Sequence, residues 1–389
     1  MSVFLGIGLG PIQTGIFLSG AAKGGFSRIV IAEVDNKIRD AVNAASGKIS
    51  INIAGPERVY TEAINGVEVY NPNEKEDLAR LIQAASEADE LCTALPSVKF
   101  FAQVSEWLKK GFAETPDKYR IIYTAENNNH AAECLKEAVG TELTNTHYLN
   151  TVVGKMSGVV PAGECEKRGL LPLCEGADRG HLVEEFNKIL ISTAPGIEKR
   201  KVQNLYEKAD LYPFEEAKLY GHNAIHLLLG LLGKNAGKAY MSETREKKEL
   251  IDFSKTAFIE ESGRALCKKW SGTDHLFTEE GFRDYAEDLM PRMTNPFLMD
   301  AIERISRDLS RKLSWNDRII GTVRLVLGQG FKADRLLTGA VLACKALFGD
   351  DISLVKPGLK ELWPSPWGVE QEEIFYKIEE SWKQGVKII

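Results

Sequence analysis

Apolar residues fall into two different rhythms along this chain, and the change between them divides it. In the first half they come in short runs. Residues 3–7 (VFLGI) and 28–33 (RIVIAE) are apolar enough for buried strands, and between them lies a glycine turn leading into an apolar stretch with helical spacing that ends near Ala22. Further strands are predicted at 90–93 and 120–123, separated by amphipathic helices at 75–85 and 98–112. Strand alternating with helix predicts a parallel, doubly wound α/β sheet covered by helices on both faces. From about Val202 the period lengthens to that of helices. The pattern predicts a helix over 213–232, started by Asp210 and Pro213 and stopped at Gly233, then helical stretches over 242–270 with internal breaks, 279–288, 296–310, 317–328, 333–348 and 371–385. Residues 176–180 and 194–197 read as loops. The predicted division is a first domain over 1–200 and a mostly α-helical C-terminal domain over 201–389.

Composition narrows the partners. The 389 residues are 44% hydrophobic and 27% charged, as in an ordinary globular protein, and the net charge of −6 leaves no basic footprint for nucleic acid. No apolar run reaches the roughly 18 residues of a membrane span, and the glycine-broken start lacks the basic region of a signal peptide. The six cysteines contain no CxxC and read as free thiols of a reducing cytoplasm. A small molecule is the expected partner.

Two places carry chemistry. The first is the turn Gly8-Leu9-Gly10-Pro11-Ile12-Gln13-Thr14-Gly15 between the first strand and helix. Such a unit lets backbone N–H groups at a helix start approach a pyrophosphate, while an acid ending the second strand binds the adenosine ribose. Glu33 stands at that acid position, with Asp35 as a substitute, and a carboxylate there favours NAD over NADP by repelling a 2'-phosphate. The third glycine of the usual fingerprint is replaced by Gln13. Thr93 and Ala94 end a strand at the cofactor edge of the sheet, and Asn127, beyond the next strand, is expected to contact the substrate or the nicotinamide. The three consecutive asparagines 127–129 are also ordinary turn residues.

The second place is KLYGHNAIH, residues 218–226. On a regular helix, at about 100° per residue, Lys218, Asn223 and His226 fall within an arc of roughly 140°. A desolvated lysine serves as a general base, and Asn and His direct hydrogen bonds at a developing oxyanion. The same residues would also suit a solvated helix face with a satisfied core histidine. His222 and His226 form an i, i+4 pair that a metal would need a third ligand to use. A last stretch, 292–318, is rich in both Arg/Lys and Asp, and reads either as a salt-bridged surface or as a set of donors for hydroxyls or phosphate.

In order along the chain, the glycine turn, Ala32-Glu33-Val34, Glu126-Asn127, Lys218-x4-Asn223-x2-His226, Glu261-Ser262-Gly263, Asn295-Pro296 and Arg311-Lys312-Leu313-Ser314 with Asp317-Arg318 resemble the polyol-specific long-chain dehydrogenases, the mannitol dehydrogenase family, and most closely its shorter members that act on a polyol phosphate. The resemblance implies a Rossmann-type first domain, NAD as cofactor and metal-independent hydride transfer. It implies Lys218 as general base, Asn127 and Asn223 on the oxyanion, and His226 orienting the reacting group, with Arg304 and Lys312 as polyol contacts. Gly8, Gly10, Pro11, Ile12, Gln13, Glu33, Thr93, Ala94 and Asn127 would hold the cofactor. The chain departs from the family at Gln13 and at Gly154, where a carboxylate is usual. An unphosphorylated polyol or a sugar acid is therefore an alternative substrate, and a noncatalytic dinucleotide-binding protein an alternative role.

Overall fold

The computed structural model describes residues 2–385 and separates into two compact units, Met1–Tyr212 and Pro213–Ile389. The first holds strands β1 (Val3–Ile7), β2 (Arg28–Ala32), β3 (Ile49–Ala54), β4 (Val59–Ile64), β5 (Val67–Tyr70), β6 (Glu90–Thr93), β7 (Arg120–Thr124), β8 (Thr146–Val152), β9 (Ser157–Pro161), β10 (Arg179–Glu184), β11 (Ile189–Ser192) and β12 (Leu205–Lys208). Eight of them form one sheet in the order β12-β11-β8-β7-β6-β1-β2-β5. From β8 through β5 all neighbours are parallel, whereas β11 joins β8 antiparallel. β1 and β2 are buried on both faces, as strands between two helical layers must be, which is why they read as unbroken apolar runs. The doubly wound α/β architecture predicted from the sequence is present, and the second unit is mostly helical.

The unit continues past the expected division at 200/201 to Tyr212, because β12 pairs in parallel with β11 through Ile189↔Leu205 to Ser192↔Lys208. The tie is reinforced by Glu90 at the start of β6. Its buried carboxylate accepts the backbone N–H groups of Lys201 and Val202 and the hydroxyl of Tyr123.

A second sheet, β4-β3-β10-β9, was not foreseen, and it places Gly180 in a strand rather than in the expected loop. The helical run 11–23 after the glycine turn rests against β10 of this sheet. Its Gly15 approaches so closely that a Cβ there would lie 2.6 Å from Val183 Cγ1, and Thr14 Oγ1 meets His181 Nδ1 at 2.9 Å. Burial, with a smaller push from Arg179, brings the His181 pKa down to about 4. An imidazole neutral in the fold but protonated when unfolded withdraws stability as pH falls from about 6.5 to about 4, by about 3 kcal/mol in all. Urea unfolding at pH 7 and pH 4.5 should show His181→Gln losing less stability between the two pH values than the parent.

Two corrections concern the second unit. Residues 296–310 do not form one helix. Short helical turns at Pro296–Leu298, Ile302–Ile305 and Leu309–Lys312 are separated by left-handed residues, Met299 at φ 52° and Asp308 at φ 54°. The break follows from an extended contact: Tyr240 and Ala301 form an antiparallel bridge, flanked by Met241 N–H to Asp300 C=O and Ile302 N–H to Ala239 C=O, both 2.9 Å. The other correction is that helix 279–288 runs on to Met293, with Pro291 inside it. Among the described residues no helix is long and apolar enough to cross a membrane, and all six cysteines are free.

Candidate active site

Lys218, Asn223 and His226 lie on one helical run, 212–235, entered through an Asp210 carboxylate that accepts the Tyr212 N–H at 2.9 Å. The run is not a regular helix. Ala217–Asn223 is a π segment, in which i→i+5 pairing stacks residues five apart, so Lys218 sits one turn from Asn223 in closer alignment than a regular helix allows. The 140° arc expected on regular geometry is thereby narrowed between these two residues. A second π segment, Ala257–Gly263, packs against the first, with the Phe258 ring over Gly221, where a Cβ would lie 3.0 Å from Cε2.

Lys218 is half-buried, and its pKa is brought down to about 8, chiefly by burial and then by Arg318, against an opposing pull from Glu215. His222, buried beside His226 with ring centroids 6.0 Å apart, is held well below the usual histidine range by burial and by the surrounding cations. Among the described residues no group of three or more His, Cys, Asp or Glu is placed to hold a metal ion. His226 instead turns Nε2 toward Asp300, 3.2 Å from Oδ2.

The same aspartate receives Arg304. Its Nε and Nη2 reach Asp300 Oδ1 at 2.8 and 2.5 Å, while the arginine stays half-exposed. Lys312 behaves differently from the expected polyol contact. It is buried, its pKa is brought down to about 8 by burial and the neighbouring Arg318 and Arg311, and its ammonium donates to the carbonyls of Ile305 and Arg307. At most one of its three N–H donors remains for a substrate. Of the arginines considered for a phosphate, Arg292 pairs with Asp288 at 2.7 Å and Arg311 with Asp308 and Asp317 at 2.7 and 2.8 Å. Glu261 of the family motif is also accounted for: its carboxylate accepts the N–H groups of Arg335 and Leu336 at the start of helix Asp334–Phe348.

The nucleotide elements belong to the first unit. Gly8 has φ +86°, and a Cβ there would press on Ala94 C=O at 3.0 Å, so both backbone and space require glycine. Beside Gly10 nothing lies within 4 Å of a Cβ, and the helical run begins at Pro11 and Ile12, leaving backbone open to an approaching phosphate. Glu33, the residue expected to meet the ribose, accepts from Leu9 N–H at 2.8 Å and Asp35 N–H at 2.9 Å and so holds the turn. Asp35 is otherwise engaged, capping the next helix at Lys37 N–H and pairing with Arg179.

Gln13 is fully buried, and neither atom of its amide has a hydrogen-bonding partner among the described residues. It lies over Gly6 of β1, where any Cβ would overlap the amide. Gly15, not residue 13, supplies the close helix-to-strand approach. These features fit a dinucleotide. Thr93 and Leu95, flanking Ala94, are fixed by the buried Glu126, which accepts the Thr93 hydroxyl at 2.9 Å and Leu95 N–H at 2.8 Å. Asn127 follows directly, exposed. Sequence reasoning missed what Glu126 and Asp300 do, although Glu126 stood inside a recognised motif and Asp300 four residues before Arg304.

Residues 210–356 carry the mannitol dehydrogenase C-terminal domain. Beyond that segment, the chain as a whole is similar to polyol and polyol-phosphate dehydrogenases. It is 25% identical over 362 residues to the mannitol-1-phosphate 5-dehydrogenase of Aureobasidium melanogenum, covering 89% of this chain and 87% of that protein. Its fold matches a substrate-free D-sorbitol dehydrogenase with a TM-score of 0.75 at 15% identity, over 99% of this chain and 94% of the other. It also matches Pseudomonas fluorescens mannitol 2-dehydrogenase, solved with NAD and D-mannitol, with a TM-score of 0.70 at 14% identity, over 98% and 91%.

Proposed function

We propose that this chain is a member of the mannitol dehydrogenase family and an NAD-dependent oxidoreductase that interconverts a linear polyol phosphate and the corresponding ketose or sugar phosphate. The observation that carries the reading is Lys218: a half-buried amine with its pKa brought down to about 8, on a π turn with Asn223, which itself lies one regular turn before His226. Relatives named mannitol-1-phosphate 5-dehydrogenase support the substrate class, and the open turn at Gly8 and Gly10 with Glu33 supports the cofactor. Gly8, Gly10, Pro11, Ile12, Glu33, Thr93 and Ala94 would hold NAD, whose nicotinamide C4 supplies the hydride acceptor. The neutral Lys218 Nζ takes the hydroxyl proton as hydride leaves the adjoining carbon with its electron pair. Asn127 and Asn223 donate to the oxygen as its charge grows, and His226 orients it. Arg304 offers its outer donors to the polyol, and Lys312 acts mainly by holding the loop that carries it. No metal enters this scheme. The free thiols support a reducing, cytoplasmic setting.

A second reading, oxidation of an unphosphorylated polyol, is favoured by one observation: Arg292 and Arg311 already have carboxylate partners. Initial rates with mannitol 1-phosphate and mannitol, each across pH 6–10, test both. The expected result is a kcat/KM for oxidation that rises tenfold per pH unit below about 8 and then levels as Lys218 loses its proton, with the phosphate ester the better substrate. Equal or faster turnover of free mannitol removes the phosphate claim. NADH binding without turnover of any polyol or ketose removes the enzyme itself.

A further inference from the structure

The stretch predicted as one helix over 296–310 is broken, and the break delivers a carboxylate to the imidazole of His226. Asp300 is held on every side but that one. Its carbonyl accepts Met241 N–H, the next residue bridges to Tyr240, and Oδ1 takes both Nε and Nη2 of Arg304. The remaining oxygen, Oδ2, lies 3.2 Å from His226 Nε2, and both atoms are buried with no aligned hydrogen bond, to each other or to any other group among the described residues. A carboxylate with only 8% of its residue surface exposed, left one oxygen short of a partner, is costly unless a donor faces it. The ring nitrogen is the donor available.

We propose that Asp300 is a positioning residue: it accepts Nε2–H of His226, fixes the tautomer and the ring plane, and leaves Nδ1 as the nitrogen that meets a substrate hydroxyl. This rests on the reading of His226 as a substrate contact. In the neutral ring Nδ1 then carries a lone pair and accepts a hydrogen bond from a hydroxyl beside the reacting one, which holds the polyol in place and leaves the reacting hydroxyl's own proton to Lys218. Arg304 contributes twice, since its grip on Oδ1 keeps Oδ2 turned to the ring while its exposed side stays available to the polyol. A partner that orients a functional histidine in this way typically matters by 10–100-fold.

The test is a double-mutant cycle with a spectroscopic readout. Asp300→Asn should lower kcat/KM about 10–100-fold with NADH affinity unchanged, and should have no further effect in a His226→Ala background. Nitrogen-15 NMR of the imidazole should show Nε2 protonated in the parent and mixed tautomers in Asp300→Asn. If that variant does not accumulate, Asp300→Glu, which keeps the charge but shifts the oxygens, should give the same mixed pattern. Equal losses in both backgrounds, or unchanged ring nitrogens, would overturn the positioning role while leaving the enzyme reading intact. Full activity in His226→Ala would instead remove His226 as a substrate contact, and the proposal with it.

Discussion

Lys218→Ala should lose turnover in both directions, by about 10²–10⁴-fold in kcat, with NADH affinity within twofold of the parent. The expectation follows from where the amine sits. Burial disfavours its charge most strongly and Arg318 adds to this, against a pull from Glu215, and a pKa of about 8 places it where both protonation states are reachable near neutrality. A residue at the surface would gain nothing from such surroundings. Stopped-flow single turnovers with fluorescence titration of NADH separate the two quantities. Lys218→Arg should be equally inactive, because a guanidinium stays charged where a base is required. A rate within tenfold of the parent in either variant would eliminate the lysine as base.

Gly263→Ala is expected to destabilise the second unit by about 1–3 kcal/mol, a large effect for one methyl group. A Cβ there would lie 2.7 Å from both Phe258 C=O and Phe282 Cδ1, closer than such atoms ever approach. The rings have nowhere to go, since Phe258, Phe282 and Tyr285 are mutually edge-on at centroid distances of 5.4, 5.4 and 5.6 Å. Any outward shift of Phe258 meets Gly221, in the π segment that carries Lys218. The urea midpoint should therefore fall with the m-value unchanged, and kcat should fall with it. Gly328→Ala serves as the control, because its added methyl meets nothing within 4 Å. Its stability should stay level or rise by about 0.5–1 kcal/mol. Equal behaviour of the two variants would mean that the ring cluster yields.

What the sequence disclosed was whatever is local. β1 and β2 are short apolar runs beside glycine, β6 and β7 are short runs between helical stretches, and helices such as Lys75–Glu87 keep a steady apolar stripe, so the parallel sheet was legible. The second sheet was not. Its strands β3 and β10 bury Asn52, His181 and Glu184, polar residues whose partners are remote in sequence: the Asn52 amide donates to the carbonyls of Leu171 and His181, and Glu184 accepts Met156 N–H. β9 mixes glycine and proline with exposed Val159 and gives no alternation to read.

At the site the residue types were visible and their geometry was not. Spacing picked out Lys218, Asn223 and His226, but the π turn is settled by glycines meeting rings elsewhere in the unit. Asp300 lies in 296–310, whose spacing is that of one helix, and the pairing of Tyr240 with Ala301 that breaks the helix there joins residues about sixty apart in sequence. Lys312 followed the family pattern by position, yet its surroundings turn the ammonium inward to Ile305 and Arg307.

The buried glutamine at position 13 and the bare glycine opposite it at position 6 are a lock and its keyhole. An engineer who restored the family's usual residue at 13 alone would open a void against the first strand, and one who enlarged residue 6 alone would jam the turn. Improving the cofactor grip of this enzyme thus requires both positions to be exchanged together, and libraries that vary them one at a time will score each change as harmful.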